Sequence, residues 1–230
     1  MRETQQSINE SILVNVPAIP NAGGERLKER AGLFPDTLYD LVVLVASAGG
    51  LQAILEVLRS IPADFPAAVI FLQHLVPDRP SHLGQILARG SLLAVSEAGD
   101  QDALHPGSCY VAPPDRHLTV SAGGILSLSQ APAYHFHRPS ADWLLESAAK
   151  AFGPRLIAVI LSGMGNDGAQ GIQAVKAAGG MVIAEDPHGA LFSGMPDAAV
   201  QTGLVDLVLP VGEIGPRLIR VVRQDKKVNP

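Results

Sequence analysis

The sequence predicts a doubly wound, mostly parallel α/β sheet with helices on both faces and an antiparallel hairpin insertion, a Rossmann-like three-layer arrangement. Three observations carry that expectation. Unbroken apolar runs at 41–46 (LVVLVA), 67–73 (AAVIFLQ) and 156–161 (LIAVIL) read as strands buried on both faces, the pattern of a parallel sheet. Each run gives way, after a corner or loop, to apolar residues at helical spacing. Between the second and third runs, two alternating stretches joined by Ala122-Gly123-Gly124 read as a hairpin with one exposed face.

Composition sets the outer bounds. The chain has 230 residues, 47% of them apolar and 17% charged, enough to bury one large core. We expect residues 1–38 to be a flexible tail or linker, 39–224 the folded domain and 225–230 a second tail; the first stretch is polar and broken by Pro17, Pro20 and Asn21-Ala22-Gly23-Gly24. A net charge of -5 offers no basic surface for a phosphate backbone, so nucleic acid is a poor partner. Cys109 stands alone, which rules out an intrachain disulfide and a cysteine-clustered zinc site and favours a reducing compartment. No apolar run reaches the ~18 residues of a spanning helix, and the SILVNVPAI stretch at 11–19 is too short and interrupted for a signal peptide. The expectation is a cytoplasmic protein with no membrane insertion.

In chain order, Gly50 to Ser60 places Leu51, Ile54, Leu55 and Leu58 at helical spacing and stops before Pro62. Ser81 is an N-cap candidate for a helix through Ala88. The apolar pieces 92–95 and 109–112 are short strand candidates, and His117 to Ser121 and Ile125 to Ser129 are the arms of the hairpin. Ser140 caps a helix through Lys150 with Trp143, Leu144 and Ala148 inward. After the strand at 156–161 comes a glycine-rich corner, Ser162 to Gly168, then a helix from Ala169 to Ala178 closed by Gly179-Gly180. Met181 to Ala184 and Leu204 to Leu209 read as strands, Pro196 to Gln201 and Glu213 to Arg223 as helices.

Ser47, His74 and Asp167 each follow a predicted parallel strand. Carboxyl ends of parallel strands share one sheet edge, where such sheets place their binding crevices. A hydroxyl, an imidazole and a carboxylate on one edge suit acyl transfer: nucleophile, general base, and a group that fixes and stabilises the base. Free backbone N–H groups near Ala48 and in the Met164–Gly165 turn are candidate donors to an oxyanion. Each residue also has an ordinary reading: Ser47 and Asp167 as helix caps, His74 as a satisfied strand-end polar group. His188 is a rival base beside the cleft, whereas His82, His105 and His117 read as surface groups. His135 and His137 alternate along an extended segment and suggest a metal pair, but no carboxylate or cysteine at ligand spacing completes it. Arg217, Arg220, Arg223, Lys226 and Lys227 suit a solvated helix end. Neither G-x-G-x-x-G nor G-x-x-x-x-G-K-[ST] is present, which argues against the glycine corners as nucleotide sites.

The strings Ala46-Ser47-Ala48-Gly49-Gly50, Gln73-His74, Tyr110-Val111-Ala112-Pro113-Pro114-Asp115, Arg138-Pro139-Ser140, Ser162 to Gly168 and Phe192-Ser193-Gly194-Met195-Pro196 resemble, in order, the catalytic domain of the CheB-type chemotaxis receptor methylesterases. The resemblance covers about residues 40–222. It implies hydrolysis of γ-glutamyl methyl esters, and deamidation of certain glutamines, on the cytoplasmic part of methyl-accepting chemoreceptors. It implies Ser47 as nucleophile, His74 as base and Asp167 as third member, with no metal or organic cofactor. A methyltransferase or a separate regulator is an implied functional partner, since about 40 preceding residues cannot fold the receiver domain of typical members. Ala48 stands where many members carry Thr or Ser. The competing expectation is a catalytically weak or inactive receptor-binding scaffold of the same fold.

Overall fold

The computed structural model describes residues 33–34, 37–75 and 81–223. Most of the predicted 1–38 tail and all of 225–230, with Lys226 and Lys227, lie outside the described residues. The elements run β1 (Leu41–Ala46), α1 (Gly50–Ser60), β2 (Ala68–Gln73), α2 (Leu83–Gly90), β3 (Ala94–Glu97), β4 (Ser108–Val111), β5 (His117–Val120), β6 (Leu126–Ser129) and α3 (Ala141–Phe152). A 3-10 turn at Gly153–Arg155 leads to β7 (Leu156–Ile160), α4 (Gly171–Ala177), β8 (Met181–Glu185), α5 (Gly194–Gln201), β9 (Leu207–Leu209) and α6 (Val211–Arg223).

Seven strands form one sheet in the order β3-β4-β2-β1-β7-β8-β9, every neighbouring pair parallel. Strand β1 lies at the centre with all six residues buried, which is why its sequence is an unbroken apolar run. Alternate residues serve opposite layers. Leu41, Val43 and Val45 join the core under α3 and α4, while Val42, Leu44 and Ala46 join the core under α1, α2 and α6. The chain winds outward from β1 through β2, then crosses to β7 and winds the other way. The connections leaving β1 and β7 therefore diverge, and the gap between them opens at the ends that carry Ser47 and Ser162.

Several details depart from the sequence reading, though the antiparallel hairpin insertion does not: β5 and β6 form a separate two-stranded antiparallel sheet whose Leu118, Val120 and Leu126 lie in the α3-side core. That packing buries His117 completely, so its assignment to the surface is corrected. Its ring stacks on Trp143 at 4.4 Å and its Nε2 pairs with the Pro132 carbonyl at 3.1 Å, leaving Trp143 only half-buried. Residues 135–137 are not extended, since His135 (φ 48°) and Phe136 (φ 72°) are left-handed and bend the chain so that Tyr134 and His137 pair. Strand β9 is shorter than predicted, and α5 and α6 start two residues earlier than expected. Cys109, buried in β4, has its thiol pushed up to about 12 by burial, which makes it inert.

At the amino end of the sheet, opposite that gap, Asp40 and Arg155 form a buried pair. Arg155 Nε donates to Asp40 Oδ2 at 2.7 Å and an Nη to Oδ1 at 2.6 Å, while the same carboxylate accepts the Leu33 N–H at 2.7 Å.

Candidate active site

The β1 corner is built by its glycines and by β7. Ser47 donates its N–H to the Ser162 carbonyl at 3.0 Å. Gly49 is left-handed (φ 76°), which turns the chain into α1, and a Cβ there would lie 2.6 Å from Ser162 Oγ. On the other side, a Cβ on Gly163 would come within 3.0 Å of Ser47 Cβ and would overlap the Met195 side chain. Only a glycine lets the β7 corner approach the serine this closely.

His74 is placed by register. Ala46 pairs with Gln73, and the His74 N–H donates to the Ala46 carbonyl at 3.1 Å. Ser47 and His74 therefore follow at neighbouring strand positions, whose backbones lie about 4.8 Å apart. Nε2 of His74 lies 2.8 Å from Asp167 Oδ2. An ionised carboxylate can only accept, so the proton of this pair sits on Nε2, and Nδ1 keeps its lone pair. That Nδ1 is buried without a partner among the described residues.

Asp167, 4% exposed, does not cap the helix that follows it. It reaches across to the N-terminus of α3, accepting the Ala141 N–H at 2.7 Å, the Asp142 N–H at 2.9 Å and the Ser140 hydroxyl at 3.0 Å. Burial would raise its carboxyl, but the His74 hydrogen bond and the backbone donors of Asp142 and Ala141 outweigh it and hold the group at about 2. Ser140 keeps its expected N-cap role, accepting the Trp143 N–H at 3.4 Å. Asp142 points the other way, accepting Gly168 and Gly171 N–H at 2.8 and 2.7 Å, and burial raises its carboxyl.

Ser162 ties the loops together. Its N–H donates to the buried Glu185 at 2.7 Å, its hydroxyl donates to the Ala48 carbonyl at 3.0 Å, and that hydroxyl accepts the Phe192 N–H at 3.0 Å. Burial raises the Glu185 carboxyl, against the Ser162 N–H that stabilises its charge. None of the N–H groups of Ala48, Met164 and Gly165 is bonded to another described residue, whereas Gly163 gives its own to the Phe192 carbonyl at 2.9 Å.

The structure thus hydrogen-bonds two of the three predicted residues and sets the third beside them. His188, the predicted rival, is on the surface with its side chain 97% exposed and paired to Asp186 at 3.0 Å. Sequence reasoning marked His137 only as half of a metal pair and missed its place beside His74, on which its ring stacks with centroids 4.1 Å apart and planes 9° from parallel. Burial and the neighbouring His74 lower its pKa. Its predicted companion His135 instead lies 3.6 Å from Asp142. Ligand atoms of His74, His137 and Asp167 fall within 4.8 Å of one another. The two rings lie in stacked planes only 9° from parallel, however, so their in-plane lone pairs do not meet at one point. Glu185 was unmarked and Ser162 was marked only as the start of the glycine-rich corner, because their roles depend on how β7 and β8 meet the β1 corner.

The sequence model of the CheB methylesterase family matches residues 42–218. The chain belongs to that family. A solved CheB methylesterase catalytic domain from Thermotoga maritima superposes with a TM-score of 0.77 at 37% identity, covering 80% of this chain and 99% of that one. Among full-length relatives, the protein-glutamate methylesterase FrzG of Myxococcus xanthus is 42% identical over 188 residues, 82% of this chain and 56% of that protein. A protein-glutamate methylesterase/protein-glutamine glutaminase of Anaeromyxobacter dehalogenans is 41% identical over 209 residues, 91% of this chain and 61% of that protein. The chain therefore spans roughly half to three-fifths of these relatives and nearly all of the CheB catalytic domain. Every residue of the β1, β2 and β7 corners lies inside the CheB match. No helix among the described residues is long and apolar enough to cross a membrane.

Proposed function

We propose that this chain is a protein-glutamate methylesterase, hydrolysing γ-glutamyl methyl esters on the cytoplasmic domain of methyl-accepting chemoreceptors. The observation that carries the reading is the 2.8 Å bond between His74, which follows β2 beside Ser47, and Asp167 in the glycine-rich corner after β7, with a buried His74 Nδ1 left to accept a proton. Ser47 Oγ attacks the ester carbonyl as His74 Nδ1 takes its proton, and Asp167 holds Nε2–H and stabilises the imidazolium. The tetrahedral oxyanion is received by backbone N–H groups of Ala48, Met164 and Gly165, each worth about 3 kcal/mol in such sites. Collapse breaks the ester C–O bond, and His74 returns the proton to the departing methoxide as methanol. Water then gives a proton to His74 and attacks the acyl carbonyl, and collapse breaks the bond to Ser47 Oγ, which takes that proton back as the glutamate is released. The same course on a glutamine amide releases ammonia. Every proton in it is handled by the chain itself, and Ala48 keeps the one group the course asks of that position, its N–H. A methyltransferase that makes the ester is the implied functional partner.

Methanol release from a methylated receptor fragment tests the reading. We expect release by the wild type and at least about a thousandfold loss in Ser47→Ala with unchanged thermal unfolding. Labelling of Ser47 by a fluorophosphonate is the matching direct assay. A folded wild type that takes no label and releases no methanol would sink the assignment in favour of a binding scaffold.

A further inference from the structure

The turn that follows β1 leaves one amide free, and Ser162 holds the peptides on either side of it. The Ser47 N–H donates to the Ser162 carbonyl at 3.0 Å, and the Ala48 carbonyl accepts the Ser162 hydroxyl at 3.0 Å. The peptide between them has its Ser47 carbonyl bonded to the Gly50 N–H at 3.0 Å, while its Ala48 N–H is bonded to no other described residue. A peptide is planar and pivots only about its flanking dihedrals, so fixing the peptides before and after it fixes the direction of its N–H.

Ser162 is itself held from every side. It is 1% exposed, its N–H donates to the buried Glu185 at the end of β8, and its Oγ fills the space beside Gly49, where a Cβ would lie 2.6 Å away. A hydroxyl has a single proton to give. The Ala48 carbonyl at 3.0 Å is nearer to it than the Phe192 carbonyl at 3.4 Å, and a lone pair of the same oxygen accepts the Phe192 N–H at 3.0 Å. Phe192 in turn accepts the N–H of Gly163, the residue before Met164, at 2.9 Å. One buried oxygen therefore stands between the two turns that carry the oxyanion donors, Ala48 on one side and Met164 with Gly165 on the other.

We propose that Ser162 is a positioning residue for the oxyanion donors: its hydroxyl, by bridging the Ala48 carbonyl and the Phe192 N–H, aims the free Ala48 N–H at the carbonyl oxygen of the ester. The proposal rests on the methylesterase reading and adds to it a residue outside the Ser47, His74 and Asp167 set. The Ser162 side chain is bonded neither to His74 nor to Asp167, so it acts through the donors and not through the base. The oxyanion exists only in the tetrahedral state, so loss of this bridge falls on kcat and spares KM.

A methylated receptor fragment as substrate and phenylboronic acid as inhibitor test it in the wild type, Ser162→Ala and Ser162→Thr. Boron bonds to Ser47 Oγ, the serine proton passes to His74, and the adduct is a tetrahedral anion that mimics the intermediate. Ser162→Ala is expected to lower kcat for methanol release by about ten- to a hundredfold, with KM changed by less than about twofold. Its affinity for phenylboronic acid should fall by a comparable factor, with the pH profile of kcat/KM unmoved. Ser162→Thr keeps the hydroxyl and is expected to recover most of both losses. Should thermal unfolding show that the alanine variant does not fold, Ser162→Cys, close in shape but a weak donor, carries the same expectation. Unchanged kcat in the folded variant overturns the proposal. So does a fall in kcat that leaves the affinity for phenylboronic acid intact, or a folded Ser162→Thr no more active than Ser162→Ala, because the hydroxyl would then not be aiming the donors. Each of those results leaves the esterase reading standing, since the wild type still releases methanol. A wild type that releases none overturns that reading and this proposal with it.

Discussion

The ring of His137 lies flat on that of His74, 4.1 Å away, and restricts the imidazole to the plane in which Nε2 meets Asp167. A stacked ring needs no titratable group to do this. We therefore expect His137→Ala to lower kcat by about ten- to a hundredfold with KM little changed, and His137→Phe to restore most of it, as read by steady-state methanol release. The lowered pKa adds a stability signature. Free histidine at 6.5 protonates more readily than His137 in the fold, so stability is lost as pH falls through 6.5 toward the lowered folded value. Urea unfolding at a series of pH values checks this: His137→Phe should remove that component of the acid decline. The positions of Ser47 and His74 were legible in the sequence because each directly follows a strand, and strand ends are readable from local pattern; Asp167 lies past the end of β7, in the glycine-rich corner that the sequence also marked. The place of His137 was not legible, because it depends on two non-glycine residues turning left-handed, and no local signal announces that.

At the scale of elements, the β1 and β7 corners approach until glycine is required. Gly163→Ala would drive a methyl into Met195 and against Ser47 Cβ, 3.0 Å away. The expected cost is about 1–3 kcal/mol by denaturant unfolding, together with a large fall in kcat. Adding Met195→Ala should return much of the stability but little of the activity, since it relieves the clash with Met195 and leaves the one with Ser47. Retention of full activity in the single variant would count against so close a corner. The strands and helices themselves were readable, since buried parallel strands are continuous apolar runs. The hairpin's partner was not. Its alternation says that one face is covered, but not that α3 rather than the sheet covers it, and so His117 was misplaced.

Over the whole molecule, the two ends of the sheet have different tasks. The carboxyl end carries the site, and the amino end is closed by Asp40 and Arg155, 2% and 9% exposed at their side chains. Asp40→Ala leaves a buried guanidinium without its carboxylate and frees the Leu33 and Phe34 N–H groups. We expect a loss of about 3–5 kcal/mol, seen as a lower urea midpoint with unchanged m, and an unchanged kcat for the molecules that remain folded. The doubly wound order was foreseeable from the strand–helix alternation. This amino-end pair was not, because it joins residues 115 positions apart that meet only after β1 and β7 align.

Asp167 closes the first turn of α3 as well as holding His74, so the amides of Ala141 and Asp142 share its carboxylate with the imidazole, Ala141 on the same Oδ2 and Asp142 on Oδ1. Those two protons are built-in spectators of the carboxylate. In a proton–nitrogen spectrum they should resonate downfield while Asp167 is charged and move upfield together only as the pH approaches about 2. A ligand that draws the imidazole away from the carboxylate would move the same two peaks. Occupancy of the cleft could then be followed from a helix it does not touch.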